Sequence, residues 1–230
     1  MSKSVSAEGR LAGAALAVLV KEVRCEVRAG SALLTIALFA LVTLTVVSWG
    51  IGGRSLEPVV QASLLWTVLY FAASVGLART FVQEEETGTA LALRLAADPP
   101  AVLAGKLFFN ILLLTALTLL VTPLFLALLA VPVLAPGSFL LLLAIGIVGL
   151  AGVSTLVAVI IARARLRGPL FGVLAFPILL PVLLVAVRGT ELALIGAPPA
   201  TLGPYLGSLA GFAGAAVTIS FLLFTPIWEG

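Results

Sequence analysis

The sequence predicts an all-α polytopic membrane protein, with six transmembrane helices preceded by a helix at the membrane interface. Three observations predict this fold class. The 230 residues are 62% hydrophobic and 10% charged, which is too apolar for a soluble domain to cover its surface with polar groups. Six long stretches contain no charged side chain, and Lys and Arg are distributed very unevenly between the linkers that join them. The chain is therefore interpreted as a single transmembrane domain, residues 1–230.

Each charge-free stretch is close to the roughly 20 residues that an α-helix needs to cross a bilayer. A Lys, Arg or Asp in the middle of such a helix would cost about 2.5–3.5 kcal/mol on insertion, and none is present. Gly and Pro in the linkers at 52–58, 132–137 and 188–202 are typical of turns. The predicted spans are residues 31–51, 59–78, 107–131, 138–162, 169–187 and 203–225.

The distribution of basic residues predicts the orientation. If the N-terminus is cytoplasmic, 11 of the 13 Lys and Arg residues lie on the cytoplasmic side, and only Arg54 and Arg188 lie on the other. Cytoplasmic linkers carry the excess of Lys and Arg in membrane proteins. Both termini are therefore predicted to be cytoplasmic, and the basic balance calls for no nucleic-acid partner.

Residues 10–28 are predicted to form an interfacial helix. Leu16, Val20, Val23 and Val27 make an apolar stripe at helical spacing, with charged residues off the stripe. The uncharged part is too short to cross a bilayer core, so the helix is expected to lie along the cytoplasmic interface. The alternative is that these residues are the first turns leading into a span.

Residues 79–106 form the only long segment with a dense charge pattern between apolar runs. Thr89 can cap a short helix over 90–97, and Asp98 followed by Pro99 predicts the start of the next helix. A short helix held between two membrane helices can transmit a push to both. We therefore interpret 79–106 as a cytoplasmic coupling segment that a soluble partner contacts, the alternative being a solvated loop. The coupling residues proposed from the sequence are Arg79, Glu84, Glu85, Glu86, Gly88, Thr89, Leu91 and Leu95.

The sequence offers no catalytic constellation. It has no His and one Cys, Cys25, so an intrachain disulfide is excluded and the usual general base is missing. Gly105-Lys106 lacks a following Ser or Thr for magnesium, so it is not a nucleotide-binding loop. We predict that the chain is not an enzyme, and that it has no metal site and binds no cofactor directly.

Two features inside the spans suggest mechanical roles. Pro177 and Pro181 each remove an amide donor, which predicts a broken helix and a hinge, or alternatively a static kink. Gly203, Gly207 and Gly211 recur every four positions, as in membrane helices that pack closely. This stripe is predicted to pack against another helix, within the bundle or between subunits, rather than to bind a ligand.

Aromatic and polar side chains in the second and third spans are further candidates for binding or packing roles. Trp66 and Tyr70 lie one turn apart and could stack on a planar ligand, although packing is the more common role of such a pair. The polar groups of the third span are predicted to form hydrogen bonds between helices. They are Asn110, Thr115, Thr118 and Thr122.

Several short stretches resemble one family over nearly the whole chain: the membrane permease of the cytochrome c maturation system, called haem exporter protein B (CcmB). The matching stretches are 21–28, Leu65-Trp66, 77–81, the acidic run into Gly88 with Lys106, Pro177 with Pro181, and 224–226. Ala78 stands where the family has Glu, and 89–92 lacks the family's acidic residue. The order and spacing of these motifs along the chain are similar to those of the family.

The resemblance implies an ABC-2-like permease fold in the bacterial inner membrane. It implies a membrane subunit that couples ATP hydrolysis to haem export or to release of a haem-loaded chaperone. The implied partners are an ATPase subunit (A) that binds ATP, a haem-handling membrane subunit (C), a small subunit (D) and the haem chaperone (E). Apart from the resemblance, we expect contact with membrane lipid, and a second copy of the chain is a further candidate partner. Two alternatives remain open: an ABC-2 permease for a drug, lipid or glycan, and a non-transporting assembly scaffold.

Overall fold

The computed structural model describes residues 2–29, 31–77, 93, 95–163 and 170–229, and all regular secondary structure in these ranges is helical. The predicted all-α polytopic fold class is confirmed. The seven long helices are α1 (Ser2–Ala29), α2 (Ser31–Ile51), α3 (Pro58–Leu77), α4 (Pro99–Leu128), α5 (Pro136–Arg163), α6 (Leu170–Leu194) and α7 (Pro199–Glu229).

The helices extend beyond several predicted spans. Helix α4 begins at Pro99, eight residues before the predicted span that starts at 107. Asp98 precedes it in an extended conformation, which confirms the helix start predicted from Asp98 and Pro99. Helix α6 continues to Leu194 instead of 187, and α1 begins at Ser2 instead of residue 10. These differences arise because a charge-free run marks only the part suited to lipid, whereas backbone hydrogen bonding continues into charged turns.

Five helices of the described chain are long and apolar enough to cross a membrane, namely α2, α4, α5, α6 and α7. The apolar part of α3, Pro58–Ser74, is shorter. The count of six spans therefore stays a prediction, with α3 in the place of the predicted second span.

Helix α5 lies at the centre of the bundle. Within its apolar stretch Pro136–Ala158, 72% of an 18-residue apolar window is buried, against 22% of the corresponding window within Pro199–Pro226 of α7. Helix α5 packs most extensively against α7 and α6, and also contacts α3 and α4. Helix α1 packs along α4, and α2 packs against α3 and α4. The large apolar side chains left exposed on the other helices are the surface that lipid would cover.

The loops 52–57, 129–135 and 195–198 form what we call the outer end, which the distribution of Lys and Arg predicts to face away from the cytoplasm. The backbone amides of Leu134 and Ala135 donate to the carbonyl oxygens of Leu194 and Ala193 at 3.2 and 3.0 Å. Gly196 has a φ of +73°, and a Cβ added there would lie 2.9 Å from the Cβ of Leu134. The tight turn after α6 therefore requires glycine.

The helix break predicted at Pro177 and Pro181 is not seen, because α6 is continuous across both prolines. Each proline removes one hydrogen-bond donor, yet its fixed φ near about −65° suits a helix. The remaining bonds keep the helix intact in this conformation. A hinge role for the two prolines stays a prediction.

Candidate functional site at the α1–α4 junction

The predicted coupling segment lies largely outside the described residues. Of its eight proposed coupling residues, only Leu95 is described, and its side chain is 84% exposed. The segment leads through Asp98 directly into α4. The structure therefore shows the base of the segment, where the first two turns of α4 pack against α1. The seven proposed residues outside the described part are Arg79, Glu84, Glu85, Glu86, Gly88, Thr89 and Leu91.

Gly105 allows α1 and α4 to approach closely. A Cβ added to Gly105 would lie 2.6 Å from the Cβ of Val18 and 2.7 Å from the carbonyl oxygen of Ala15. Real Cβ atoms do not approach backbone oxygens to this distance, and the backbone of α1 cannot yield as a flexible side chain could. The two backbones meet at a point where only glycine fits.

A buried ion pair lies beside this contact. The Nζ of Lys106 is 2.9 Å from the Oε1 of Glu22, and the side chain of Lys106 is 0% exposed while that of Glu22 is 12% exposed. Lys21 also donates to the same Glu22 oxygen at 3.2 Å. A charged lysine taken out of water carries a large desolvation penalty, which only close, well-placed partners offset. The pairing therefore holds α1 and α4 in one relative position.

We call the contact formed by Val18, Glu22, Gly105 and Lys106 the α1–α4 clamp. It lies one to two turns beyond the start of α4, where the coupling segment ends. Close packing and a buried charge pair both resist sliding of one helix past the other. A force applied to the coupling segment would therefore move α1 together with α4.

The face of α1 that packs on α4 differs from its apolar stripe. Leu16 and Val27, two members of the stripe, are 60% and 78% exposed, whereas Val18 is 4% exposed. Three of the four stripe residues, Leu16, Val20 and Val27, are thus exposed, as an interfacial helix with one face in lipid requires, whereas Val23 packs against the core. This supports the predicted interfacial position, which stays a prediction.

Sequence reasoning did not single out Glu22, and it considered Lys106 in a rejected nucleotide-binding loop, in the coupling segment and in the family motif. The signal that could have found the pair is the isolation of Lys106. It is the only charged residue in the 30 residues of α4, and it lies two turns inside the helix. A lone charge on an apolar helix requires a nearby partner. Choosing Glu22 among the acidic residues of the chain requires the tertiary structure.

The Trp66 and Tyr70 pair serves packing. The indole of Trp66 is completely buried, and its Nε1 donates to the Oγ1 of Thr190 at 2.9 Å. Tyr70 is 4% exposed and makes an edge contact with Phe176. Neither ring has a free face for a planar ligand, so the packing alternative is confirmed.

One polar group of α4 forms the predicted hydrogen bond between helices. The Nδ2 of Asn110 donates to the Oγ1 of Thr155 on α5 at 2.7 Å. The prediction is wrong for Thr115, whose hydroxyl donates to the Ile111 carbonyl of its own helix. It is also wrong for Thr122, whose buried hydroxyl has no partner within the described residues. A threonine in a helix always has the carbonyl four residues back within reach, which competes with other helices.

The glycine stripe of α7 faces away from the described bundle. A Cβ added to Gly203, Gly207 or Gly211 would meet no atom within 4 Å. The opposite face of α7, with Leu202 and Leu209 fully buried, makes the contacts with the bundle. Packing within the bundle therefore finds no support in the described residues, and packing between subunits stays a prediction.

Charged and metal-ligating groups elsewhere are sparse in the described part of the chain. Arg188 donates to Glu191 at 2.8 Å in an exposed pair near the outer end. Cys25 is an exposed free thiol. No three His, Cys, Asp or Glu side chains among the described residues lie together as metal ligands would.

Comparison with known proteins shows which family the chain belongs to. The family model described as CcmB protein matches residues 13–225. Heme exporter protein B of Rhodobacter capsulatus is 28% identical over 205 residues, which are 88% of this chain and 93% of the relative. Heme exporter protein B of Paracoccus denitrificans is 28% identical over 216 residues, covering 91% and 94%. The match spans every helix from α1 to α7, including both partners of the α1–α4 clamp, and the chain belongs to the CcmB protein family.

Proposed function

We propose that this chain is the membrane (permease) subunit of an ABC transporter complex for cytochrome c maturation. In this complex, ATP hydrolysis by a separate ATPase subunit drives haem export or release of a haem-loaded chaperone. The observation that carries the proposal is the family match over residues 13–225, together with relatives named heme exporter protein B. The chain itself binds neither ATP nor haem, which are bound by other subunits.

The α1–α4 clamp supports a mechanism for the coupling. Closure of the partner ATPase pushes on the coupling segment between Glu84 and Leu95. The push reaches α4 within a few residues, and the buried pair of Glu22 with Lys106 carries it to α1. Helices α3 and α4 tilt as a result, and α6 bends at Pro177 and Pro181, where two backbone hydrogen bonds are missing.

The proposed complex lies in the bacterial inner membrane, with both termini of this chain in the cytoplasm. Its other members are the ATPase subunit (A), the haem-handling subunit (C), the small subunit (D) and the haem chaperone (E). A second copy of the chain would meet the exposed glycine face of α7. Small residues on that face would allow two membrane helices to approach closely.

The test of the proposal is covalent haem on c-type cytochromes, detected on haem-stained gels. A deletion strain complemented by this chain is compared with the deletion itself and with a strain whose partner ATPase cannot hydrolyse ATP. We expect both defective strains to lose cytochrome c and to accumulate haem on the chaperone. Normal cytochrome c without this chain would overturn the proposal and favour export of another substrate. Normal cytochrome c with the inactive ATPase would favour a non-transporting scaffold.

Reversing the charge of Glu84, Glu85 and Glu86 to Lys is expected to uncouple ATP hydrolysis from haem delivery. Cytochrome c should fall to the level of the deletion strain while the ATPase still turns over, because the acidic run no longer matches its docking surface. The matched control is Glu57→Lys, which reverses an exposed acidic residue at the outer end. Membrane levels of both variants are compared by immunoblot. An unchanged level of cytochrome c in the triple variant would contradict the coupling mechanism.

A further inference from the structure

A cavity of about 390 Å³ opens at the outer end, between the last turn of α2, the first turn of α3 and the end of α4. Its volume lies within the range of small-molecule sites, about 300–1,000 Å³. Ser48, Ser55 and Gln61 line it with polar groups, and Leu56 and Leu128 line it with apolar ones. The cavity is thus amphipathic, and it is distant from the α1–α4 clamp at the opposite end of the bundle.

Gln61 is the unusual residue of this cavity. Its side chain is only 6% exposed, and within the described part of the chain its amide makes no side-chain hydrogen bond. No side-chain atom of Gln61 is among the described buried atoms that lack a partner, so its amide keeps access to the cavity that it lines. A ligand in the cavity would therefore meet an amide group that can both donate and accept hydrogen bonds.

Arg54 supplies positive charge to the same cavity. Gly52 and Gly53 have φ values of +60° and +75° and turn the chain after α2, so that Arg54 follows as a lining residue. Arg54 forms no ion pair with the described acidic residues, and Glu57 of the same loop does not line the cavity. A guanidinium group recognises carboxylate and phosphate oxygens with paired donors.

We propose that this outer cavity binds an amphipathic anion, a molecule with a phosphate or carboxylate group on an apolar body. Arg54 pairs with the anionic oxygens, the Gln61 amide donates to the same group, and Leu56 and Leu128 contact the apolar body. Two sources share this chemistry at the outer end of a membrane bundle: the head group of an anionic phospholipid, and a free amphipathic carboxylate. The proposal does not depend on the proposed transport function.

The test is ligand binding by the full chain, purified in a neutral detergent and measured by native mass spectrometry. The probes are phosphatidylglycerol and decanoate, one for each source. Arg54→Gln and Gln61→Leu are expected to weaken binding on the order of tenfold, since each removes a charge-assisted hydrogen bond. The matched control is Arg188→Gln, which removes the other arginine predicted on the outer side and should leave binding unchanged.

Each result decides the proposal. Phosphatidylglycerol binding that depends on Arg54 and Gln61 supports it with a lipid as the source, and decanoate binding with the same dependence supports a free carboxylate. If neither probe binds, or if Arg188→Gln weakens binding as much as Arg54→Gln does, the proposal is overturned. Arg54 is exposed, so Arg54→Gln keeps the fold and tests the site even if Gln61→Leu does not. Thermal unfolding of every variant identifies any that fail to fold.

Discussion

Glu22→Gln is expected to lower the free energy of unfolding by about 3–5 kcal/mol, the usual cost of breaking a buried ion pair. Lys106, which is 0% exposed, loses the carboxylate that lies 2.9 Å from its Nζ. The amide that replaces the carboxylate carries no charge to offset the desolvation of the ammonium group. The effect should fall toward the lower end of that range, because Glu22 itself is 12% exposed.

The measurement is thermal and chemical unfolding of the purified chain in detergent, followed by size-exclusion chromatography. The matched control is Glu191→Gln, which breaks an ion pair of similar length, 2.8 Å, whose arginine side chain is 62% exposed. Solvent already stabilises the exposed arginine of that pair, so its loss should lower the stability much less than loss of the buried pair does. Equal destabilisation by the two variants would contradict a stabilising role for the buried pair.

The double variant Glu22→Leu with Lys106→Met distinguishes the cost of leaving a buried charge unpaired from the stabilisation that the ion pair itself provides. Replacing both members of a buried pair with apolar residues of similar size is often neutral. The double variant should therefore be more stable than Glu22→Gln alone. If it is less stable, the two charges stabilise the α1–α4 clamp beyond compensating for each other's desolvation.

Gly146→Ala is expected to destabilise the protein by overpacking its core. A Cβ at Gly146 would overlap the Cη2 of Trp66 and lie 2.9 Å from its Cζ3. The indole cannot move aside freely, because it is completely buried and its Nε1 donates to Thr190. Overpacking of this kind costs about 1–3 kcal/mol, and loss of the hydrogen bond adds about 0.5–1.5 kcal/mol.

The matched control for this substitution is Gly149→Ala, one turn along the same helix. An added Cβ there would lie 3.4 Å from the Cγ1 of Val182, an ordinary van der Waals contact. Alanine is also the better helix former by up to about 1 kcal/mol, so this variant should be neutral or slightly stabilised. Unfolding temperatures of the two variants are compared in the same detergent. If Gly146→Ala unfolds at the native temperature, the packing of Trp66 against α5 is looser than the structure indicates.

The sequence alone was sufficient for most of the architecture. Charge-free runs and the positions of Gly and Pro predicted the observed bounds of α2 without error and those of α3 to within one residue. Asp98 with Pro99 correctly predicted the start of α4. These features are local: one stretch of residues determines whether a segment enters lipid and where its helix begins. The family motifs distributed along the chain also indicated the family without a structure.

The candidate site was less accessible to sequence reasoning. The coupling residues proposed from the charge pattern lie mostly outside the described part of the chain and stay predictions. The α1–α4 clamp joins residues 84 positions apart. The isolation of Lys106 on an apolar helix indicates that it needs a partner, but not which residue that partner is. The polar residues of α4 illustrate the same limit, since Asn110 pairs across helices whereas Thr115 bonds to its own backbone.

The sequence by itself determined that the chain is an all-helical membrane protein, which way it is predicted to be oriented, and which family it resembles. Only the tertiary structure decided that Glu22 pairs with Lys106, that most of the apolar stripe of α1 is exposed, and that the glycine stripe of α7 is exposed. The physical reason is that a helix in lipid is apolar on every side, so hydropathy does not show which face meets a neighbour. That choice depends on van der Waals fit and a few buried polar pairs, which exist only once the helices are assembled.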